Sequence, residues 1–318
     1  MAHKRRIALL LASAALSAGT LGLAACGGDD DSGDGGGDLS GEIIVDGSST
    51  VAPLTSAAAE AFNGENSGVD IQVRTSGTGA GFDVFCAGDS DIQDASRAIE
   101  DDEIAACEQG GVEYEELRIA SDGITVVTSA QSDLGGEDLT LEQLAAVWGP
   151  DSDIDNWSQI PGGSFNDVPL TLAGAGSQSG TYDFFNEEVL GEGPDGEVIE
   201  PRQDYSASED DNVTVRAVEG APGGMGYFGY SYYSENQDRL KVFSVDGIAP
   251  TPETITDGSY PLSRPLFIYV KKSALERPEV AAFVRYYVEN ATALAEEQLF
   301  VPAPQESLDE DLAKLPEA

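Results

Sequence analysis

The sequence predicts an α/β fold with largely parallel sheets. Three observations carry that expectation. Apolar strands alternate with amphipathic helices along most of the chain. The strand-to-helix turns are built from Gly, Ser and Thr, and in such folds ligands gather at the carboxyl ends of strands. A chain of 318 residues with 41% hydrophobic content is long and apolar enough for packed cores in two domains.

The elements follow in order. "EIIVDGSSTVAPLTSAAAEAFN" (42–63) reads as strand, hydroxyl-rich turn and helix. Pro53 falls in the first helical turn, where a missing N–H costs nothing. "VDIQVRTSGTGAGFDVFCAG" (69–88) repeats the plan, and "SDIQDASRAIEDDEIAAC" (90–107) varies it, with "DASR" before the helix. "RIASDGITVVTSA" (118–130) is an apolar strand suited to carry the chain into a second domain. "LTLEQLAAVWGPDSDIDNWSQI" (139–160) is a helix and turn holding both tryptophans. "VPLTLAGAGSQSGTYDFFNEEVL" (168–190) is the third full strand–turn–helix. "GGMGYFGYSYY" (223–233) reads as aromatic packing in a core or hinge. "YPLSRPLFIYVKK" (260–272) is a second crossing strand, and "PEVAAFVRYYVENATALAEEQLF" (278–300) is an amphipathic helix returning to the first domain.

The first residues read as a targeting segment. "MAHKRRIALLLASAALSAGTLGLAAC" has a basic start, an apolar stretch and a small-residue end. Leu23-Ala24-Ala25-Cys26 resembles the lipobox of bacterial lipoproteins, which implies cleavage before Cys26 and lipidation of it. Residues 26–40 are then a flexible Gly/Asp/Ser tether.

The charge narrows the partners. There are 58 Asp+Glu against 16 Lys+Arg, a net charge of -42. Removing residues 1–25 takes three cations and no acids, leaving 13 against 58, a net of -45. Nucleic acid is bound by clustered cations, so it is excluded as a partner. Attraction to an anionic lipid surface is excluded as well, leaving membrane contact to the anchor alone.

Much chemistry is excluded too. The only histidine is His3, so the processed chain has no Ser-His-Asp or Cys-His system and no His-ligated zinc. No Gly-Lys-Ser/Thr loop exists, and "GTGAG" (77–81) lacks dinucleotide-binding spacing. "DSDIDNW" (151–157) departs from a calcium loop at Asn156 and Gly162. Neither a cofactor nor a metal is expected. The remaining cysteines, Cys86 and Cys107, are expected to form a disulfide in an exported protein.

The ordered stretches "DGSSTVAPL", "SGTGAGF", "DIQDASRAI", "LTLEQLAAVWG", "GSQSGTYDFF" and "GAPGGMGYFGYSYY" together resemble the phosphate-binding proteins of bacterial high-affinity phosphate ABC transporters, over about 42–300. The resemblance implies a two-lobed periplasmic-binding-protein fold of the Venus-flytrap, type II kind, with two hinge crossings. It places lobe 1 at 41–122 plus 263–318 and lobe 2 at 123–262. It implies inorganic phosphate held between the lobes, delivery to permease subunits outside the cytoplasm, no chemistry, and a monomer.

Residue by residue, the resemblance places Thr50 and the backbone of Val51 at a first phosphate turn, beside Ser49. It places Thr78 at a second, and Ser179, Gly180 and Thr181, with Ser177, at a third. Ser96 and Arg97 form a fourth. Two positions depart from the family pattern. Arg97 stands where an Asp ends the "AS-" motif, and Ala175 stands where an Arg precedes the "SGT". Arg97 is therefore the expected grip on the anion. The proton acceptor that the Asp would supply falls to Asp183, Asp210 or Asp211. A sulfate receptor, an extracellular phosphatase using Ser179 and a surface adhesin stay open as alternatives. The anion site is compatible with the acidity because charges on the surface are screened over ~8 Å. Several donors at roughly 1–3 kcal/mol each reach the ~8 kcal/mol of a micromolar site.

Overall fold

The computed structural model describes residues 39–194 and 198–316. The expected signal peptide, most of the tether and Cys26 lie outside the described residues. The described residues form one compact unit.

The chain first builds β1 (Ser40–Gly47), α1 (Ala52–Glu65), β2 (Gly68–Val73), α2 (Thr78–Ala87), β3 (Ile92–Ala95) and α3 (Asp101–Gly110). It crosses on β4 (Tyr114–Ser129). It continues through β5 (Asp138–Leu139), α4 (Leu141–Trp148), β6 (Thr171–Ala175), α5 (Gly180–Leu190), β7 (Ser206–Ser208) and α6 (Asp211–Glu219). Then come β8 (Gly224–Gly229), α7 (Tyr230–Glu235), β9 (Leu240–Val242), β10 (Ser244–Val245) and α8 (Pro252–Thr256). It returns on β11 (Ser263–Lys271) and ends with α9 (Pro278–Glu297), β12 (Val301–Pro302) and α10 (Gln305–Lys314).

One curled sheet runs β2-β1-β3-β11-β4-β8-β6-β7. The expectation of largely parallel pairing holds at both ends only. β1 runs parallel to β2 and β3, and β6 runs parallel to β7 and β8. The middle is antiparallel, with β11 against β3 and β4, and β4 against β8. The reason is topological: the chain crosses once outward and once back, so its crossing strands oppose each other. β12 and β9 also pair with β4, β12 beside Ala120 and Ser121 and β9 along its far end, Val127 to Ser129.

Two cores flank these crossings. One packs α1 and α9 on the first half of the sheet, with Ile43, Leu54, Phe62, Ile268, Phe283 and Tyr287. The other packs α4 and α5 on the second half, with Trp148, Trp157, Phe185, Tyr227, Phe243 and Tyr260. Fully burying one such aromatic contributes roughly 1.5–3 kcal/mol. The stretch read as aromatic packing behaves so: Tyr227 and Phe228 are buried, and the Tyr227 ring stacks on Phe185. The expected disulfide links Cys86 at the end of α2 to Cys107 in α3.

Candidate functional site

The carboxyl ends of β1 and β3 and the starts of α1 and α2 meet in one place. Gly47 ends β1 with φ 131°, a value that favours glycine. Its carbonyl accepts from the Gly77 N–H, and the Ser48 N–H donates to the Asp94 carbonyl. Thr50 N–H donates to Ser48 Oγ. Gly77, at φ 94°, opens α2. Thr78 Oγ1 lies 3.0 Å from Ser96 Oγ, and Ser96 N–H donates to Thr78 Oγ1. The first, second and fourth turns are thus bonded into one wall.

The third turn comes from the second half of the sheet. Ser179 caps α5 by accepting from the Thr181 N–H. Gly180 lies against Thr50, so close that a Cβ there would sit 2.5 Å from Thr50 Oγ1. Glu209 enters this turn from outside and accepts the Gln178 N–H at 3.2 Å. Ser177 is exposed, and neither it nor Val51, Ser179, Gly180 or Thr181 is among the residues that line the cavity between the turns.

Between the walls lies a cavity of about 490 Å³. Ser49, Thr50, Thr78, Ser96, Arg97 and Arg264 line one side; Asp183, Phe184, Glu187 and Glu188 line the other. A cavity of about 480 Å³ near Lys241, Asp133 and Glu137 contains none of these turns.

Arg264 is the residue that the sequence reading passed over. It sits on β11, in the crossing. Its Nη2 donates to Thr50 Oγ1 at 3.0 Å and reaches the Gly180 carbonyl at 3.4 Å. Its guanidinium stacks on the Phe184 ring, 3.9 Å from the centroid. Asp122, its cross-strand partner on β4, lies 3.4 Å away. Burial pulls the Arg264 pKa down, opposed by Asp122, Glu187 and Glu188. A signal for it was present: an arginine within an otherwise apolar strand of a chain with few cations.

Arg97 lines the cavity, but its charge is already matched. Its Nη1 and Nη2 donate to both oxygens of Glu103 at 2.8 and 2.9 Å, and Nε lies 3.1 Å from Glu100. Hydrogen bonding to Glu103 holds its pKa above the ordinary arginine value. The local sequence explains this: Glu100 and Glu103 form a capping box at the start of α3, just beyond Arg97.

Of the three candidate proton acceptors, only Asp183 borders the cavity. Burial raises its pKa and Arg264 lowers it. Asp210 instead caps α6 through the Asn212 N–H. Burial beside Asp210 and Glu209 pushes Asp211 up to about 6. Behind the first turn, the Asp94 carboxylate lies 2.8 and 2.9 Å from Thr55 Oγ1, itself 3.1 Å from the Tyr287 hydroxyl. Among the described residues there is no metal-binding cluster, and no helix is long and apolar enough to cross a membrane.

Comparison with known proteins adds the lineage. A model of the PBP superfamily domain matches residues 32–291. SphX of Synechococcus elongatus is 40% identical over 270 residues, 82% of this chain and 77% of that protein. The phosphate-binding protein PstS of Staphylococcus haemolyticus is 37% identical over 317 residues, 96% of each chain. The crystal structure of a possible phosphate-binding protein from Planctomyces limnophilus superposes with a TM-score of 0.80. It is 40% identical and covers 87% of this chain and 99% of its own. The chain therefore belongs to the PBP superfamily and, within it, to the family of SphX and the phosphate-binding protein PstS.

Proposed function

We propose that this protein binds inorganic phosphate between its two lobes outside the cytoplasm and hands it to the permease of an ABC transporter, without chemical transformation. The relatives named PstS support the ligand. One observation carries the reading: Arg264, in the crossing, touches Thr50 on one wall and Gly180 on the other. A buried divalent anion needs a fixed positive partner, and this guanidinium is the best-buried cation bordering the cavity.

Thr50, Thr78, Ser179 and Thr181, with Ser49 and Ser96 beside them, supply the hydroxyl donors. The backbone at Val51 and Gly180 supplies N–H groups at helix starts. Arg97 shapes the mouth of the cavity from within its pairing to Glu103 and Glu100, and Asp183 supplies the carboxylate facing the anion. Lobe 1 comprises 41–122 plus 263–318 and lobe 2 comprises 123–262. The protein acts as a monomer held to the membrane through a lipid on Cys26.

Calorimetric titration of the processed chain with phosphate and with sulfate tests the reading. Saturable binding of phosphate near micromolar, with no release from a chromogenic phosphate ester, is the expected result. Absence of phosphate binding overturns it. Cys26→Ala is expected to release the protein from the membrane fraction or block its processing.

A further inference from the structure

Asp122 and Arg264 are cross-strand partners on the two crossing strands. Their side chains are only 10% and 11% exposed. Yet the contact between them is long. Asp122 Oδ2 lies 3.4 Å from both Nε and Nη2 of Arg264, and Nε has no hydrogen-bond partner. The carboxylate balances the guanidinium's charge without being well bonded to it.

A divalent oxyanion beside Arg264 would gather three negative charges around one positive charge in a buried site. Such a group is poorly tolerated away from water unless one charge is neutralised. Other acids face the guanidinium only from α5: Asp183, Glu187 and Glu188. All three residues are open to solvent on one side, so water and salt reach them, although partial burial raises the carboxyls of Asp183 and Glu188. Asp122 is not screened, and it lies closest to the charge the anion would claim.

We infer that Asp122 sets which charge form of the anion this cleft accepts, taking up a proton when a dianion seats against Arg264. This rests on reading the cleft as a phosphate site. Burial pushes the Asp122 carboxyl up, with Arg264 opposing. The anion competes for Arg264 and repels the carboxylate, so both effects move it further toward protonation. Affinity for the dianion therefore falls as pH rises through the pKa of Asp122 in the complex.

The experiment is calorimetry of the processed chain with inorganic phosphate at mildly alkaline pH, where the free anion is divalent, in two buffers of different ionisation enthalpy. The wild type should take up about one proton per phosphate. Asp122→Asn should abolish that uptake and bind phosphate several-fold more tightly at this pH, converging with the wild type as pH falls. Asp183→Asn, titrated at concentrations where it saturates, should retain the uptake per phosphate bound, whatever its affinity. Uptake that persists in Asp122→Asn, or disappears in Asp183→Asn, overturns the inference, because the proton would then sit on phosphate or on Asp183. No uptake by the wild type overturns it as well. Should Asp122→Asn fail to fold, difference infrared spectroscopy of the wild type decides. A protonated-carboxyl band that appears with phosphate and survives Asp183→Asn supports the inference; its absence overturns it. If the wild type binds no phosphate at all, the reading of the cleft falls and the inference falls with it.

Discussion

Gly180 and Thr50 meet across the cleft, and only the missing side chain of Gly180 lets them do so. A Cβ at position 180 would lie 2.5 Å from Thr50 Oγ1 and 3.4 Å from Thr50 Cα. Gly180 is the first residue of α5, with nothing in its conformation that demands glycine. At that first position the cost of a mid-helix glycine does not apply, so alanine should be about neutral for the helix itself. Gly180→Ala is therefore expected to leave thermal stability about equal while weakening phosphate binding at least tenfold. Small-angle scattering with saturating phosphate should show a more open particle than the wild type. An unchanged affinity would count against closure through this contact.

The three arginines near the turns should separate cleanly. Arg264→Ala removes the buried cation and should cost about 2–5 kcal/mol of phosphate affinity, by analogy with broken buried charge pairs. Arg97→Ala should cost less than one tenfold step, because its guanidinium is engaged by Glu103 and Glu100. Arg74 is exposed and donates to Gln72, so Arg74→Ala should change nothing measurable. Titration of the three variants at one pH and salt concentration, with circular dichroism to confirm folding, checks the order.

Asp94 should make stability depend on pH in an unusual direction. Burial, against the pull of Thr55, raises its pKa from 3.8 to about 8. The folded chain thus holds a proton that the unfolded chain releases. The stability tied to this proton is fully present below pH 3.8 and is lost as pH rises to about 8. Asp94→Asn keeps the shape without the titration. Its urea midpoint should exceed that of the wild type increasingly between these limits and run parallel above them.

Reducing the Cys86–Cys107 bridge frees a loop with a sequence separation of 21. In the chain-entropy model that is worth about 3 kcal/mol. The bridge joins α2 to α3, behind the second and fourth turns rather than within the cavity. Replacing both cysteines by alanine should lower the melting temperature yet leave phosphate affinity intact at temperatures where the variant is folded.

What the sequence disclosed and what it hid divide along a physical line. Strand–turn–helix units are local, so the turns at Ser49-Thr50, Gly77-Thr78 and Ser179-Thr181 were legible, as were the crossing strands and the disulfide. The packing of the first turn against the third depends on two segments some 130 residues apart (Thr50 and Gly180). No local pattern announces it. The same holds for Arg264, whose partner Asp122 is set by strand register across the crossing. Arg97 was legible as a cation at a turn. Its capture by Glu103, in the first turn of α3, depends on the side-chain geometry that the capping box sets, which residue types alone do not show. The antiparallel centre of the sheet follows from crossing twice, which strand–helix alternation alone does not encode.

The ladder between β4 and β11 runs from Ser263 opposite Gly123 to Lys271 opposite Tyr114, with one register shift between Leu266 and Phe267. By the proposed lobe bounds every rung but Ser263–Gly123 lies in lobe 1, so the two strands form one stiff plank there and leave it side by side. Neither can slide past the other at that exit without breaking the ladder at many rungs together. Tilting of one lobe on the other then turns about the paired exit rather than shearing along it. A partner that inspects the outer faces then meets a graded series of a single shape, from ajar to shut. Whatever energy the anion supplies in the cleft is read out there as an angle.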